Sequence, residues 1–125
     1  MMQGNVDKII IAAEAVNRFN YVSDEIFDEN DIYPALVVGD RRSEIRKRTE
    51  NLGLYFLEWQ YQVFVLVNKS DGWEELELLT AQFLSQSAAQ GLYLVDWRMM
   101  EMLISGIDVL VSEIILGTVN KHQFA

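Results

Sequence analysis

The ionisable side chains that could do chemistry in this 125-residue chain gather in two runs of eight positions. Asp24, Glu25, Asp28, Glu29 and Asp31 form the acidic run, and Arg41, Arg42, Arg46, Lys47 and Arg48 the basic one. Carboxylates at that density suggest a divalent cation. An EF-hand loop, however, needs acids at alternate positions, a central glycine and a closing glutamate, and 24–31 has no glycine. A solvated acidic loop is the favoured reading. Glu58 and Glu113 each interrupt an apolar strand pattern and would suit acid–base work if they met in a cleft. Nothing in the sequence brings them together, so outward-facing glutamates are expected. The absence of cysteine removes thiolate zinc sites, disulfides and cysteine nucleophiles. A single histidine, His122, reads as an exposed tail residue and argues against hydrolytic triads and His-rich metal sites. The seven glycines stand singly, so no phosphate-cradling loop is present. The expectation is a protein with no cofactor, no bound metal and no enzymatic activity.

The basic run is the feature that composition makes unusual. Formal net charge is −9. The five cations of 41–48 less Glu44 give +4, which leaves −13 on the remainder. Three readings stand beside one another. The run is a solvated charged loop; or it docks on an acidic face of a second copy, such as the one bearing Asp24–Asp31, and closes a ring when the rotation per subunit allows; or its arginine forks contact phosphates. In a ring, the last reading becomes a lumen through which nucleic acid passes, although interleaved aromatics and base-reading features are missing. Met99, Met100 and Met102 read as core filler, with an adaptable contact surface as the alternative.

These side chains need elements to hold them. Val6 to Phe19 has helical spacing at Val6, Ile9, Ile10, Ala12, Ala13 and Val16, with Asn5 as an N-cap and an end bracketed by Asn17 and Asn20. Tyr33–Val38 reads as a buried strand with the only proline, Pro34, near its start. For Arg41–Glu50, a long hairpin loop and strand ends reaching past the sheet both fit. Gly53–Asn68 is the clearest strand: Leu57, Trp59, Tyr61, Val63, Val65 and Val67 share one parity, and Glu58, Gln60 and Gln62 the other. Phe64 and Leu66 make both parities apolar at its far end, where cover on both faces is expected. A strand of that length bends, bulges or projects from the body. After the turn cluster 68–72, a helix runs from Trp73 to about Gln90. Its buried stripe is Leu76, Leu79, Phe83 and Leu84, its cap Ser70 or Asp71, and its stop Gly91. Val111–Lys121 alternates as a strand. Val95–Ile104 fits a strand or a helix, and a turn at Gly106–Asp108 favours strand–turn–strand.

The length fits one domain, 1–125, with a core large enough to fold unaided. Half of the residues are apolar, which argues against disorder and leaves apolar surface for a partner. Met1–Lys8 lacks the basic head and apolar run of a secretory signal, and runs such as Val63–Val67 fall far short of the roughly 18 residues of a membrane helix. A protein made in the cytoplasm and not associated with membrane is therefore expected. The fold class expected is α+β: a two-layer sandwich of a mostly antiparallel sheet of about four strands with two helices on one face.

A leading helix, the strand Tyr33-Pro34-Ala35-Leu36-Val37-Val38, a basic variable loop, the long strand Leu57–Val67, the helix Trp73–Gln90 and a last strand near Glu113–Asn120 follow one another. That order resembles the tail-terminator or tail-completion proteins of long-tailed bacteriophages, the minor tail protein U type, and related neck proteins. The resemblance implies a subunit of a ring, commonly a hexamer. The ring caps the tail tube, stops its polymerisation and joins it to the head connector. It implies a place in the virion and, during assembly, in the bacterial cytoplasm. Its partners would be further copies of itself, tube and connector proteins, and DNA passing non-specifically through the lumen. The family has no catalytic residues to carry over. Arg41, Arg42, Arg46, Lys47 and Arg48 are the expected assembly or lumen surface, with Asp24, Glu25, Asp28, Glu29 and Asp31 as its acidic complement. The other reading open to the sequence is a small binding or regulatory module that captures a peptide along a sheet edge.

Overall fold

Alternation along 57–63, with both parities apolar from Val63 to Val67, makes one long strand the axis of the sheet. The computed structural model describes residues 2–24, 32–49 and 54–123. It contains α1 (Met2–Val16), β1 (Tyr21–Ser23), β2 (Ala35–Thr49), β3 (Leu54–Asn68), a single 3-10 turn at Lys69–Asp71, α2 (Trp73–Ala89), β4 (Tyr93–Ile104) and β5 (Ile107–Gln123). The sheet order is β1-β2-β3-β5-β4. Only the β1–β2 pair is parallel; the other three are antiparallel. The fold is the expected α+β two-layer arrangement, with five strands instead of about four. The extra strand is β1, three residues too short to show a period.

One face of the sheet carries both helices. Val6, Ile9, Ala12 and Ala13 of α1 and Leu76, Leu79 and Phe83 of α2 are buried with Leu36, Val38, Tyr61, Val63, Val65, Val67, Leu110, Ile114 and Leu116 of the sheet. Leu84, expected in the same stripe, is only half-buried at its margin. The other face has its own apolar cluster of Ala35, Val37, Phe64, Leu66, Val109 and Val111, flanked by half-buried Tyr21, Tyr33, Met100, Met102 and Ile104. Phe64 and Leu66 are thus covered as their parity required.

Several local features differ from the reading of the sequence. Of the two readings open for Arg41–Glu50, the loop is set aside and the strand end is found: Arg41–Arg48 continues β2, in register with β3 from Arg42 opposite Tyr61 to Thr49 opposite Leu54. An irregularity between Val38 and Arg42 gives β2 two more residues than β3 over this interval. Bulges of this kind bend a strand and strengthen its twist. Gly39 makes this bulge tolerable, because a Cβ there would lie 2.6 Å from Gln62 Oε1 and 3.0 Å from Phe64 Cε2. Val95–Ile104 is resolved as strand β4. Ser105 and Gly106, both at positive φ, close a two-residue hairpin into β5. β5 runs on to Gln123, so His122 belongs to a strand paired opposite Tyr55, not to a tail. Helix α2 starts at Gly72, which makes no side-chain cap, so neither Ser70 nor Asp71 serves. Gly91 (φ 80°) ends it as expected. Its N–H donates to the Ala88 carbonyl and that of Leu92 to the Ser87 carbonyl, the paired bonds of a Schellman motif.

Asn5 is not an N-cap. Helix α1 begins three residues earlier, and the buried Asn5 side chain faces the sheet, where Nδ2 donates to the Tyr61 hydroxyl at 2.9 Å. Tyr61 itself is wholly buried. Removing one partner leaves a buried polar group unsatisfied, at a cost of about 1–2 kcal/mol. Tyr61→Phe is therefore expected to lower the unfolding free energy by about that amount, with an unchanged denaturant m-value, in a urea titration followed by circular dichroism.

Candidate assembly surface

Three strands outrun the rest of the sheet. β4 stops pairing with β5 at Gly117, yet β5 stays paired with β3 to Gln123, and β3 with β2 to Thr49. The basic run lies in this three-stranded arm. Arg42, Glu44, Arg46 and Arg48 occupy alternate positions, opposite Tyr61, Trp59, Leu57 and Tyr55. Among the described residues, β1 pairs only with Ala35–Val37, so no strand lies along the outer edge of β2 from Arg42 to Thr49. Of the acidic complement, Asp24 is an exposed bend residue. Glu25, Asp28, Glu29 and Asp31 lie outside the described residues.

The two interrupting glutamates do not form a pair. Glu113 sits opposite Phe64 and Glu58 opposite Val119, six positions away along β3, or about 20 Å. Glu113 is instead engaged locally. Arg98 Nε donates to its Oε1 at 3.0 Å and Gln62 Nε2 to its Oε2 at 3.2 Å. Its side chain is mostly buried while that of Arg98 is exposed, so the ion pair compensates a desolvated carboxylate. Among the described residues, no three His, Cys, Asp or Glu side chains gather as a metal site, and no helix is long and apolar enough to cross a membrane. A cleft of about 250 Å³, lined by Ala15, Val16, Gln82, Ser85 and Gln86, holds no ionisable side chain.

The second open edge was not picked out in the sequence. β4 is twelve residues long and forms the outer strand of the sheet. Its pairing puts Leu94, Trp97 and Met99 opposite Leu116, Ile114 and Ser112, on the helix-covered face. All three nevertheless stay exposed, as does Val95, and Leu103 is 70% exposed. Met100 and Met102 belong to the margin of the second core cluster while Met99 faces outward, so the methionine group divides between filler and surface. Tyr93 lies across Gly117, where a Cβ would stand 2.7 Å from its ring. The available signal was the apolarity of both parities from Tyr93 to Ile104 in a terminal hairpin, which leaves one strand without a further neighbour.

A polar chain roots this edge in the core. The Trp97 indole N–H donates to Ser112 Oγ at 3.1 Å; Ser112 and Thr80 hydroxyls meet at 2.7 Å; and Thr80 Oγ1 donates to the Leu76 carbonyl at 2.7 Å. A hydroxyl has one proton, so Thr80 must accept from Ser112, and the chain runs in one direction from β4 through β5 to α2.

No protein-family model matches the sequence, and no curated protein matches it. Among solved structures the chain is similar to one from the virion of a native gene transfer agent particle, with a TM-score of 0.50 at 8% identity. The similarity covers 88% of this chain and 84% of the other, and at that identity it is a likeness of fold over nearly the whole of both.

Proposed function

We propose that the chain is a non-enzymatic structural subunit of a phage or phage-like virion, and within that class a tail-terminator or tail-completion protein. Copies would form a ring, taken as a hexamer, that caps the tail tube and offers no further docking surface for tube subunits. The opposite side would meet the head connector. The observation that carries this reading is the likeness of fold to a chain of the gene transfer agent virion over 88% of this sequence. The open strand edges and the lack of a metal-type cluster among the described residues are consistent with it. Arg41, Arg42, Arg46, Lys47 and Arg48 are assigned to the assembly or lumen surface. Alternate residues of a strand share a face, so Arg42, Glu44, Arg46 and Arg48 would lie along one strip with a net charge of +2. That strip would meet either an acidic neighbour, with Asp24, Glu25, Asp28, Glu29 and Asp31 as candidates, or DNA passing non-specifically.

The test is tube length and tube ends in negative-stain images of particles made without the gene and then supplied with protein. Wild type is expected to add a ring at one end and to stop growth. Arg46→Glu/Arg48→Glu is expected to lose at least about tenfold in capping, because reversed charges turn attraction into repulsion. Tubes indifferent to the wild-type protein would overturn the reading. The open β4 edge favours one other reading, a module that takes an extended peptide as an added strand; it would show saturable 1:1 peptide binding without self-association.

A further inference from the structure

We infer that the two open edges of the sheet are the two halves of one contact: the outer edge of β4 in one copy receives the Arg42–Thr49 edge of β2 from the next. This rests on the reading of the chain as a self-assembling structural subunit and names the surface through which it assembles.

Long edge strands carry unpaired backbone donors and acceptors, and monomeric proteins blunt them with lysine, proline or cover. β4 has neither lysine nor proline, and its one cation, Arg98, is engaged by Glu113. Leu94, Val95, Trp97, Met99 and Leu103 stay exposed along it. The charge is complementary. Asp96, Glu101, Asp108 and Glu113 stand against Lys69 and Arg98 around β4, a net of −2, while the Arg42–Thr49 edge carries +3.

Direction also fits. β2, β3, β5 and β4 alternate in direction, so β4 runs opposite to β2. A neighbour in the same orientation therefore brings its β2 antiparallel to this β4, and the alternation continues across the junction. A symmetric antiparallel β4–β4 contact would instead set Asp96 near Glu101 of the other copy and leave the basic edge without a partner.

The offset between the edges sets the geometry. The centre of the Arg42–Thr49 segment lies about seven residues along the sheet from the centre of β4, judged through their common neighbours β3 and β5, or about 23 Å. The four strands from β2 to β4 are about 19 Å wide. Matching the edges thus tilts the strands by roughly 50° to the axis of assembly, a little above the roughly 35–45° at which closed sheets form. A head-to-tail contact of this kind gives a ring when the rotation per subunit closes, and an open filament when it does not.

A charge exchange tests it by sedimentation velocity of the purified chain, with no tail tube present. Wild type is expected to associate reversibly. Arg46→Glu/Arg48→Glu takes the Arg42–Thr49 edge from +3 to −1, so that both edges are acidic, and Asp96→Lys/Glu101→Lys takes the β4 edge from −2 to +2, so that both are basic. Each alone should need at least about tenfold more protein to associate, and an equimolar mixture should regain wild-type behaviour with the two chains alternating. Unchanged circular dichroism checks that each variant is folded. Association by either variant alone at wild-type concentration, a mixture no better than its components, or a wild type that stays monomeric would each overturn the inference. Tube capping is read separately, so loss of one reading is distinguishable from loss of the other.

Discussion

Phe83→Ala is expected to remove about 3–5 kcal/mol from the unfolding free energy, the largest single-residue effect in this fold. Phe83 is wholly buried on the stripe of α2 that also buries Leu76 and Leu79. Apart from this stripe and the buried Thr80–Ser112 hydrogen bond to β5, little fastens the helix. Its link to α1 includes the Arg18–Glu75 ion pair and the Arg18–Gln82 hydrogen bond, all with exposed partners, and such surface pairs contribute about 0–1 kcal/mol. The cavity left by the ring would open at the junction of both helices with the sheet. Domains of this size have about 5–15 kcal/mol in total, so the variant should melt roughly 10–20 °C lower. Phe83→Leu nearly conserves volume and should lose less than about 1.5 kcal/mol. Calorimetry of the two variants beside wild type checks the ratio. Near-equal losses would place the side chain outside the packed core.

The residues of α2 and β3 show what can be read from order alone. A stripe at 76, 79 and 83 has only one way to bury itself on a helix. The parity of Tyr61, Val63, Val65 and Val67 likewise has one way on a strand, and both faces were found where the spacing placed them. Asn5 was misread because its partner is 56 residues away. A polar residue near a helix start looks like a cap until the sheet behind it supplies a hydroxyl. Arg41–Arg48 is legible as a concentration of charge, with loop and strand end both open, because the pairing that extends β2 comes from β3, whose own alternation carries its neighbour along. Val95–Ile104 satisfied both periods, and only the two positive-φ residues of the 105–106 turn decide between them. The candidate surface was therefore half visible: its basic edge lies in the composition, whereas its apolar edge exists only once β4 is placed outermost.

The chain Trp97–Ser112–Thr80–Leu76 carries the second large prediction. Thr80→Val keeps the shape of the side chain but removes the acceptor for the Ser112 proton and the donor to the Leu76 carbonyl. Ser112 is wholly buried, so its hydroxyl then points its proton at a methyl group, and the loss is expected to be about 1–3 kcal/mol. Ser112→Ala strands two groups at once: Thr80 loses its donor, and the Trp97 indole loses its acceptor. Trp97 lies at the rim, 36% exposed, and water can replace Ser112 for it. Combining the changes removes both buried hydroxyls together and leaves neither unsatisfied. The double variant should therefore be more stable than the sum of the single losses predicts, with a coupling of about 0.5–3 kcal/mol. Chemical denaturation of the four proteins of the cycle measures this. Additive losses would mean that the hydroxyls do not act as one directional chain. Trp97 also supplies a local signal: freed from Ser112 and bonded to water, its indole contribution to emission should shift to the red in Ser112→Ala and remain in place in Thr80→Val, separating the anchoring of the open edge from the stability of the core beneath it.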